Sequence, residues 1–362
     1  MNEEGPYRKL AGVLDTLPNG FPPTEDGIEI RLLKKIFDPD EAELFCRLRL
    51  NFETPEQISQ RIGRPPAELE EKLDVMTRKG QIFGIDVGGF KVYRMIPWAF
   101  GIYELQMPRI DREMAEMCEQ YLDAFGKQFF ENTPPLMQVI PIEEEINDRH
   151  RVLSHERVSS IIENSKSFMY YDCICKKEKA LLGRPCDRPT QVCTAYAPIK
   201  GLFDNHPYGT VMTKQEAYDL LNRAEEQSLV HMTWNVQNGH YFICNCCGCC
   251  CAVLRGINEM GFPASQVVNS HYYAQIDPKS CTACGICAQE RCQVNAIEQG
   301  EEYCRVITER CIGCGLCVNA CPERAISLVR KPEEQIKTPP EDEMRWYETR
   351  AKMRGVDISG FL

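Results

Sequence analysis

"CTACGICAQERCQVNAI" at residues 281–297 is followed, after a short insert, by "CIGCGLCVNACPERAI" at residues 311–326. The second stretch carries Cys311, Cys314 and Cys317 with two residues between neighbours, then Cys321 and Pro322. The first repeats the run as Cys281, Cys284, Cys287 and Cys292, with one extra residue before the last cysteine and Gln293 in place of the proline. A C-x2-C pair also serves zinc, but zinc sites usually set two such pairs a dozen or more residues apart and need no third cysteine at the same interval. Two back-to-back triplets, each with a fourth cysteine, point instead to iron and inorganic sulfide.

The rest of the composition agrees. The chain has 362 residues and 21 cysteines, of which only Cys46 and Cys118 precede residue 173. Its start, MNEEGPYRKLAG, has no apolar stretch behind a basic one, so no signal peptide is expected. No run approaches the roughly 20 apolar residues of a membrane span. The expected location is the cytoplasm, where disulfides do not persist, and thiols in such numbers then point to metal. The net charge of −11 disfavours nucleic acid, whose binding relies on Lys and Arg neutralising phosphates. It favours docking to a basic face of a partner protein.

On these motifs, residues 272–330 resemble a two-cluster, bacterial ferredoxin-type [4Fe-4S] domain. In such domains the three closely spaced thiolates hold one cluster and the distant fourth holds the other. The resemblance therefore implies one cluster on Cys281, Cys284, Cys287 and Cys321, and a second on Cys311, Cys314, Cys317 and Cys292. Gly285, Gly313 and Gly315 would let backbone amides approach the sulfides, one of the levers on potential. Cys304, in the linking insert, reads as structural.

A second thiol-rich region precedes this one. Cys173, Cys175, Cys186 and Cys193 lie in "DCICKKEKALLGRPCDRPTQVC", and Cys244, Cys246, Cys247, Cys249, Cys250 and Cys251 follow some fifty residues later. Read as a strand, the first stretch would turn Cys173 and Cys175 to one face. Adjacent cysteines such as Cys246 and Cys247 point different ways, so not all six of the later group can reach one cubane. These ten are candidate ligands of one further iron–sulfur cluster, or of two. A set of buried free thiols is the alternative, and so dense a group would be open to oxidation without a metal. Cys246-Cys247-Gly248 is superficially similar to the "CCG" signature of heterodisulfide-reductase-type noncubane clusters, from which the flanking spacing departs. His231, His240 and His271 lie near these segments and read as ordinary histidines. Arg255, Lys176 and Lys177 adjoin the thiols and read as solvated charges.

Residues 28–97 read as three helices and a hairpin. Asp38-Pro39 and Thr54-x-x-Gln57 open two helices, the second with a capping box. A third carries Leu69, Leu73 and Met76 on one face, and "QIFGIDVGGFKVYRMI" alternates like strands about Gly88-Gly89. The pattern resembles a winged helix, but Glu68, Glu70, Glu71 and Asp74 on its recognition helix suit protein docking better than DNA. Residues 111–130 read as an amphipathic core helix, and the region 155–250 as alternating helices and strands.

The expected fold class is α+β and multidomain: a winged-helix-like domain at 1–105, a Cys-rich α+β domain at 106–271, the ferredoxin-like dicluster domain at 272–330, and a linker with a C-terminal helix at 331–362. Trp346 and Tyr347 on that helix would either anchor a partner or pack back on the chain. The arrangement resembles iron–sulfur proteins of anaerobic bacteria and archaea, which implies no particular reaction. No Gly-rich dinucleotide fingerprint or P-loop occurs. The expected function is single-electron relay to or from a partner redox enzyme, such as a flavoenzyme or reductase complex. An oxidoreductase using the middle centre as its substrate site, or a redox-sensing DNA-binding regulator, are the alternatives.

Overall fold

The computed structural model describes residues 4–142, 157–204, 206 and 209–362. Helices dominate the first third: α1 (Gly5–Thr16), α2 (Ile28–Ile36), α3 (Pro39–Phe45), α4 (Pro55–Ile62) and α5 (Pro66–Arg78). Local chemistry sets their ends. Asp38 with Glu41 and Thr54 with Gln57 form reciprocal capping boxes at α3 and α4, each with proline at the next position. Gly63 ends α4 in the left-handed region. Strands β1 (Phe83–Val87) and β2 (Phe90–Arg94) form the expected hairpin, and Glu53 bridges to Tyr93 on its edge. Leu69, Leu73 and Met76 bury the inner face of α5. Two of its acidic side chains are spoken for: Lys91 reaches Glu70 at 2.8 Å and Asp74 at 2.7 Å, and the Tyr93 hydroxyl donates to Asp74 at 2.7 Å.

A short turn, α6 (Tyr103–Leu105), leads into the 20-residue α7 (Arg112–Glu131), N-capped by Asp111. Its Met114, Met117, Cys118, Tyr121, Phe125 and Phe129 are buried, as their helical spacing predicts. Then come β3 (Met137–Val139), α8 (Val158–Glu163), β4 (Ser167–Asp172), α9 (Ile174–Leu181), β5 (Gln191–Ala197), β6 (Thr210–Met212), α10 (Lys214–Glu226), β7 (Val230–Trp234) and β8 (Phe242–Cys246). The start of the helix expected near 155 lies outside the described residues. After β8 follow α11 (Ala252–Asn258), α12 (Ala264–Val267) and the two-residue β9 (Val268–Asn269). Seven strands make one sheet in the order β6-β4-β5-β8-β7-β3-β9, antiparallel except for the β3–β9 pair.

One sequence expectation changes here. The strand stops at Asp172, and Cys173 becomes the N-cap of α9, so Cys173 and Cys175 are not alternate residues of a strand. The Cys173 amide donates to the Thr190 carbonyl at 2.8 Å, which ties the turn to the entry of β5.

The last third pairs β10 (Tyr272–Ile276) with β13 (Ile326–Arg330), and β11 (Ile297–Gln299) with β12 (Cys304–Val306). Both cysteine runs lie in the loops between these hairpins. Helix α13 (Glu343–Arg354), N-capped by Asp342, closes the chain. Trp346 is fully buried and its indole donates to the Pro135 carbonyl at 3.1 Å. Its ring meets Trp234 edge-on at 5.7 Å. Packing back on the chain is therefore the observed use of Trp346 and Tyr347. The largest apolar cluster is continuous from Tyr7 to Ile358 and takes in Cys246, Cys287 and Cys311.

Candidate metal centres

The C-terminal loops turn on residues that tolerate positive φ. Gly285, Gly313 and Gly315 have φ of 80°, 62° and 86°. At Gly313 a side chain is excluded outright, because a Cβ would lie 2.2 Å from the Tyr272 carbonyl oxygen. These turns aim sulfur inward. Cys281, Cys284, Cys287 and Cys321 line one cavity together with Ile286, Pro322 and Ile326, so the fourth cysteine of the second run stands with the first triplet. Cys292 stands in turn within electrostatic reach of Cys311, Cys314 and Cys317.

Backbone amides point at the sulfurs. Ala296 donates to Cys292 at 3.1 Å, Ala325 to Cys321 at 3.3 Å, Ala274 to Cys311 at 3.4 Å and Cys304 to Cys281 at 3.4 Å. Such bonds favour the thiolate form and fit a cluster-bound sulfur better than a neutral thiol. Burial acts the other way and, with the neighbouring thiols, pushes Cys287 and Cys314 up to about 12. Iron must therefore displace protons on binding.

Cys304, expected to be structural, stands beside the first triplet. It lines the first cavity, where its thiol interacts electrostatically with Cys287 and Cys281. The signal was its cross-strand position: β11–β12 pairing sets Cys304 opposite Gln299, against which Gly285 packs.

The ten middle cysteines divide in two. Cys173 interacts electrostatically with Cys175 and Cys193, Cys193 with Cys244, Cys244 with Cys246, Cys246 with Cys251, and Cys251 with Cys175, all as free thiols. Six thiols thus form one ring. The other four, Cys186, Cys247, Cys249 and Cys250, have sulfurs all within 4.8 Å of one another. The division follows backbone geometry. Cys244 and Cys246 share a face of β8, whereas Cys247, Cys249 and Cys250 sit on the turn after it, and Cys251 caps α11.

In each set one sulfur accepts from two neighbours. Hydrogen bonds from Cys173 and Cys244 hold Cys193 at about 6, and those from Cys249 and Cys250 hold Cys247 at about 2. The ammonium of Lys176 acts on both sulfurs. Lys176 is only 2% exposed and donates to the Pro189 carbonyl at 2.6 Å. The sequence reading of this lysine as a solvated charge is corrected: it is buried, within electrostatic reach of both groups of thiols. Arg255 is corrected likewise. It is buried and grips Glu119 with both Nη atoms at 2.9 and 3.0 Å, while Lys179 reaches both oxygens of Glu119 at 2.8 and 2.9 Å. Burial works to raise Glu119, but bonds from Lys179, Arg255 and Arg184 prevail and hold it at about 2. This brace ties α7, α9 and α11 together behind the thiols. Lys177 donates to the Met107 carbonyl at 2.7 Å.

The three histidines stand apart from the sulfurs. Both ring nitrogens of His231 are engaged, by Asn245 and Glu225, and His240 bonds Thr233. His271 bonds the Lys337 carbonyl.

Gln293, the departure from the proline of the second run, has a structural use. Its side-chain oxygen accepts from the Gly248 amide at 3.0 Å, and Asn258 donates to both backbone carbonyls, of Gly248 at 3.2 Å and of Gln293 at 2.9 Å. The quartet turn is thereby pressed against the residue next to Cys292. A Cβ at Gly248 would lie 2.0 Å from the Gln293 carbonyl oxygen. Gly248→Ala is expected to cost about 1–3 kcal/mol, as overpacking does. Gly12→Ala, at a helical position with nothing within 4 Å of the new Cβ, is expected to be neutral or stabilising. Denaturant midpoints of the two variants check this; equal midpoints would remove the contact's importance.

Residues 305–327 match the family described as 4Fe-4S binding domain. A search of the curated proteins finds no match to the chain. No described helix is long and apolar enough to cross a membrane. The stretch that carries Cys311, Cys314, Cys317 and Cys321 is a ferredoxin-type, [4Fe-4S]-binding segment.

Proposed function

We propose that the chain is an electron-relay protein that passes single electrons to or from a partner redox enzyme. Two [4Fe-4S] clusters would be held by Cys281, Cys284, Cys287 and Cys321, and by Cys311, Cys314, Cys317 and Cys292. A further iron–sulfur centre would be held by the ring of Cys173, Cys175, Cys193, Cys244, Cys246 and Cys251. When bound, such clusters exchange one electron with little rearrangement at potentials set by hydrogen bonds, charge and solvent access.

The chain's own residues supply those settings. Amides of Ala274, Ala296, Cys304 and Ala325 donate to the sulfurs, and buried Lys176 offsets negative charge at the middle thiols. The observation that carries the reading is the adjacency of the two ferredoxin-type thiol groups, in which Cys287 lies within electrostatic reach of Cys317. Gly248, on the turn after β8, donates to Gln293 beside Cys292 and holds the middle region against these groups. Separate structural metal sites need no such adjacency.

The acidic chain suits a partner with a basic face. A DNA-binding role is weaker, because Glu70 and Asp74 of α5 hold Lys91 to the protein and leave that helix no excess of cations.

Anaerobic purification followed by iron and acid-labile sulfide counts tests the reading, with EPR of the dithionite-reduced protein. About eight irons are expected from the ferredoxin-type region and about four or more from the six-thiol ring. A preparation without sulfide or any reducible centre would end it.

A further inference from the structure

We infer that Cys186, Cys247, Cys249 and Cys250 bind one tetrahedral thiophilic ion, zinc or iron, that is separate from the iron–sulfur clusters. The sulfur spacing decides this. Cys186 lies 3.8 Å from Cys247 and 3.6 Å from Cys249, and Cys249 lies 3.7 Å from Cys250. Four sulfurs at about 2.3 Å from a single ion stand about 3.8 Å apart along each tetrahedral edge. In a cubane each thiolate sits on a different iron at a corner, so its sulfurs are spread by the width of the core as well. The same molecule supplies the comparison. Among the described residues this is the one group of three or more Cys, His, Asp or Glu whose ligand atoms all lie within 4.8 Å of one another. Neither ferredoxin-type quartet closes so far.

The chain path fits a closed site. Cys247, Cys249 and Cys250 come from one turn and Cys186 from the loop between α9 and β5, some sixty residues earlier. Four thiolates leave no open position, which is the pattern of an ion that holds structure. All-thiolate ligation selects soft or borderline metals. Bound there, the ion joins the 183–190 loop to the turn that Gln293 presses from the other side.

The test uses the full chain purified without oxygen from medium containing both metals. One metal ion per chain is expected beyond the iron matched by sulfide. The double variant Cys186→Ser/Cys249→Ser is expected to lose that ion alone, keeping its sulfide and its reducible EPR signals. Where the excess ion is zinc, X-ray absorption at the zinc edge of the unmodified chain is expected to show sulfurs at about 2.3 Å and no neighbouring metal. Excess zinc assigns zinc; excess iron with a high-spin ferric signal after oxidation assigns iron. Loss of about four irons with about four sulfides from the variant would overturn the inference in favour of a cluster. No metal in excess of the sulfide-matched iron would overturn it in favour of free thiols. Absence of sulfide together with a retained single ion would sink the electron-relay reading and leave this one standing.

Discussion

Cys321→Ala combined with Cys281→Ala is expected to remove no more iron than either change alone, about four atoms. Cys321→Ala with Cys311→Ala is expected to remove about eight, although those two cysteines belong to one sequence run. The reason is the crossed placement: Cys321 lines the cavity of Cys281, Cys284 and Cys287, while Cys311 groups with Cys314, Cys317 and Cys292. Substitutions at one site share a single loss, whereas substitutions at separate sites add. The series belongs in a Cys304→Ala background, because the Cys304 thiol stands beside Cys281 and Cys287 and would otherwise replace a missing ligand. Iron and sulfide counts on the anaerobic proteins check it. A loss of only about four irons from the Cys321/Cys311 pair would mean that each run holds its own cluster.

Arg350→Met is expected to lower stability by about 3 kcal/mol or more, with a fall in melting temperature of about 4 °C or more. Arg350 is fully buried in α13, and the partners found for it are all backbone carbonyls. Its Nε donates to Pro18 at 3.1 Å, one Nη to Asn132 and Pro134 at 2.8 Å each, and the other Nη to Phe129. The guanidinium also lies 4.5 Å from the Phe129 ring centroid and 5.3 Å from that of Trp346. Burial, aided by Arg354, pulls it down to about 9, which leaves it charged at neutral pH. Methionine fills much of the volume but donates nothing, so four buried acceptors lose their partner, and each such loss costs about 1–3 kcal/mol before water compensates. Arg350→Lys is expected to recover little, since one ammonium cannot span the planar fork's directions. Thermal unfolding of the cluster-loaded proteins checks this. A drop below about 1 kcal/mol would show that water replaces the fork at small cost.

Much of the molecule was legible locally. The cysteine intervals of 311–321 specify a [4Fe-4S]-binding segment, and those of 281–292 repeat the pattern, because three closely spaced ligands come from a single short turn. Asp38, Thr54 and Thr213 start helices where their capping boxes place them, since a side chain needs only to reach an amide three residues on. The apolar face of α7 followed from 3.6-residue spacing. The strand assigned to Cys173 and Cys175 failed because the turn at Asp172 is held by Thr190, eighteen residues away.

The amino-acid sequence alone therefore determined that this chain carries a ferredoxin-type, [4Fe-4S]-binding segment over the second cysteine run, because ligand spacing within a turn is a short-range property. Only the tertiary structure divided the ten middle thiols into six and four, buried Lys176 within reach of both, set Cys304 beside the first triplet and folded α13 into the interior. Each of these depends on which distant segment arrives at a given sulfur or charge. That is settled by sheet order and core packing over separations of tens to hundreds of residues, which no local pattern encodes.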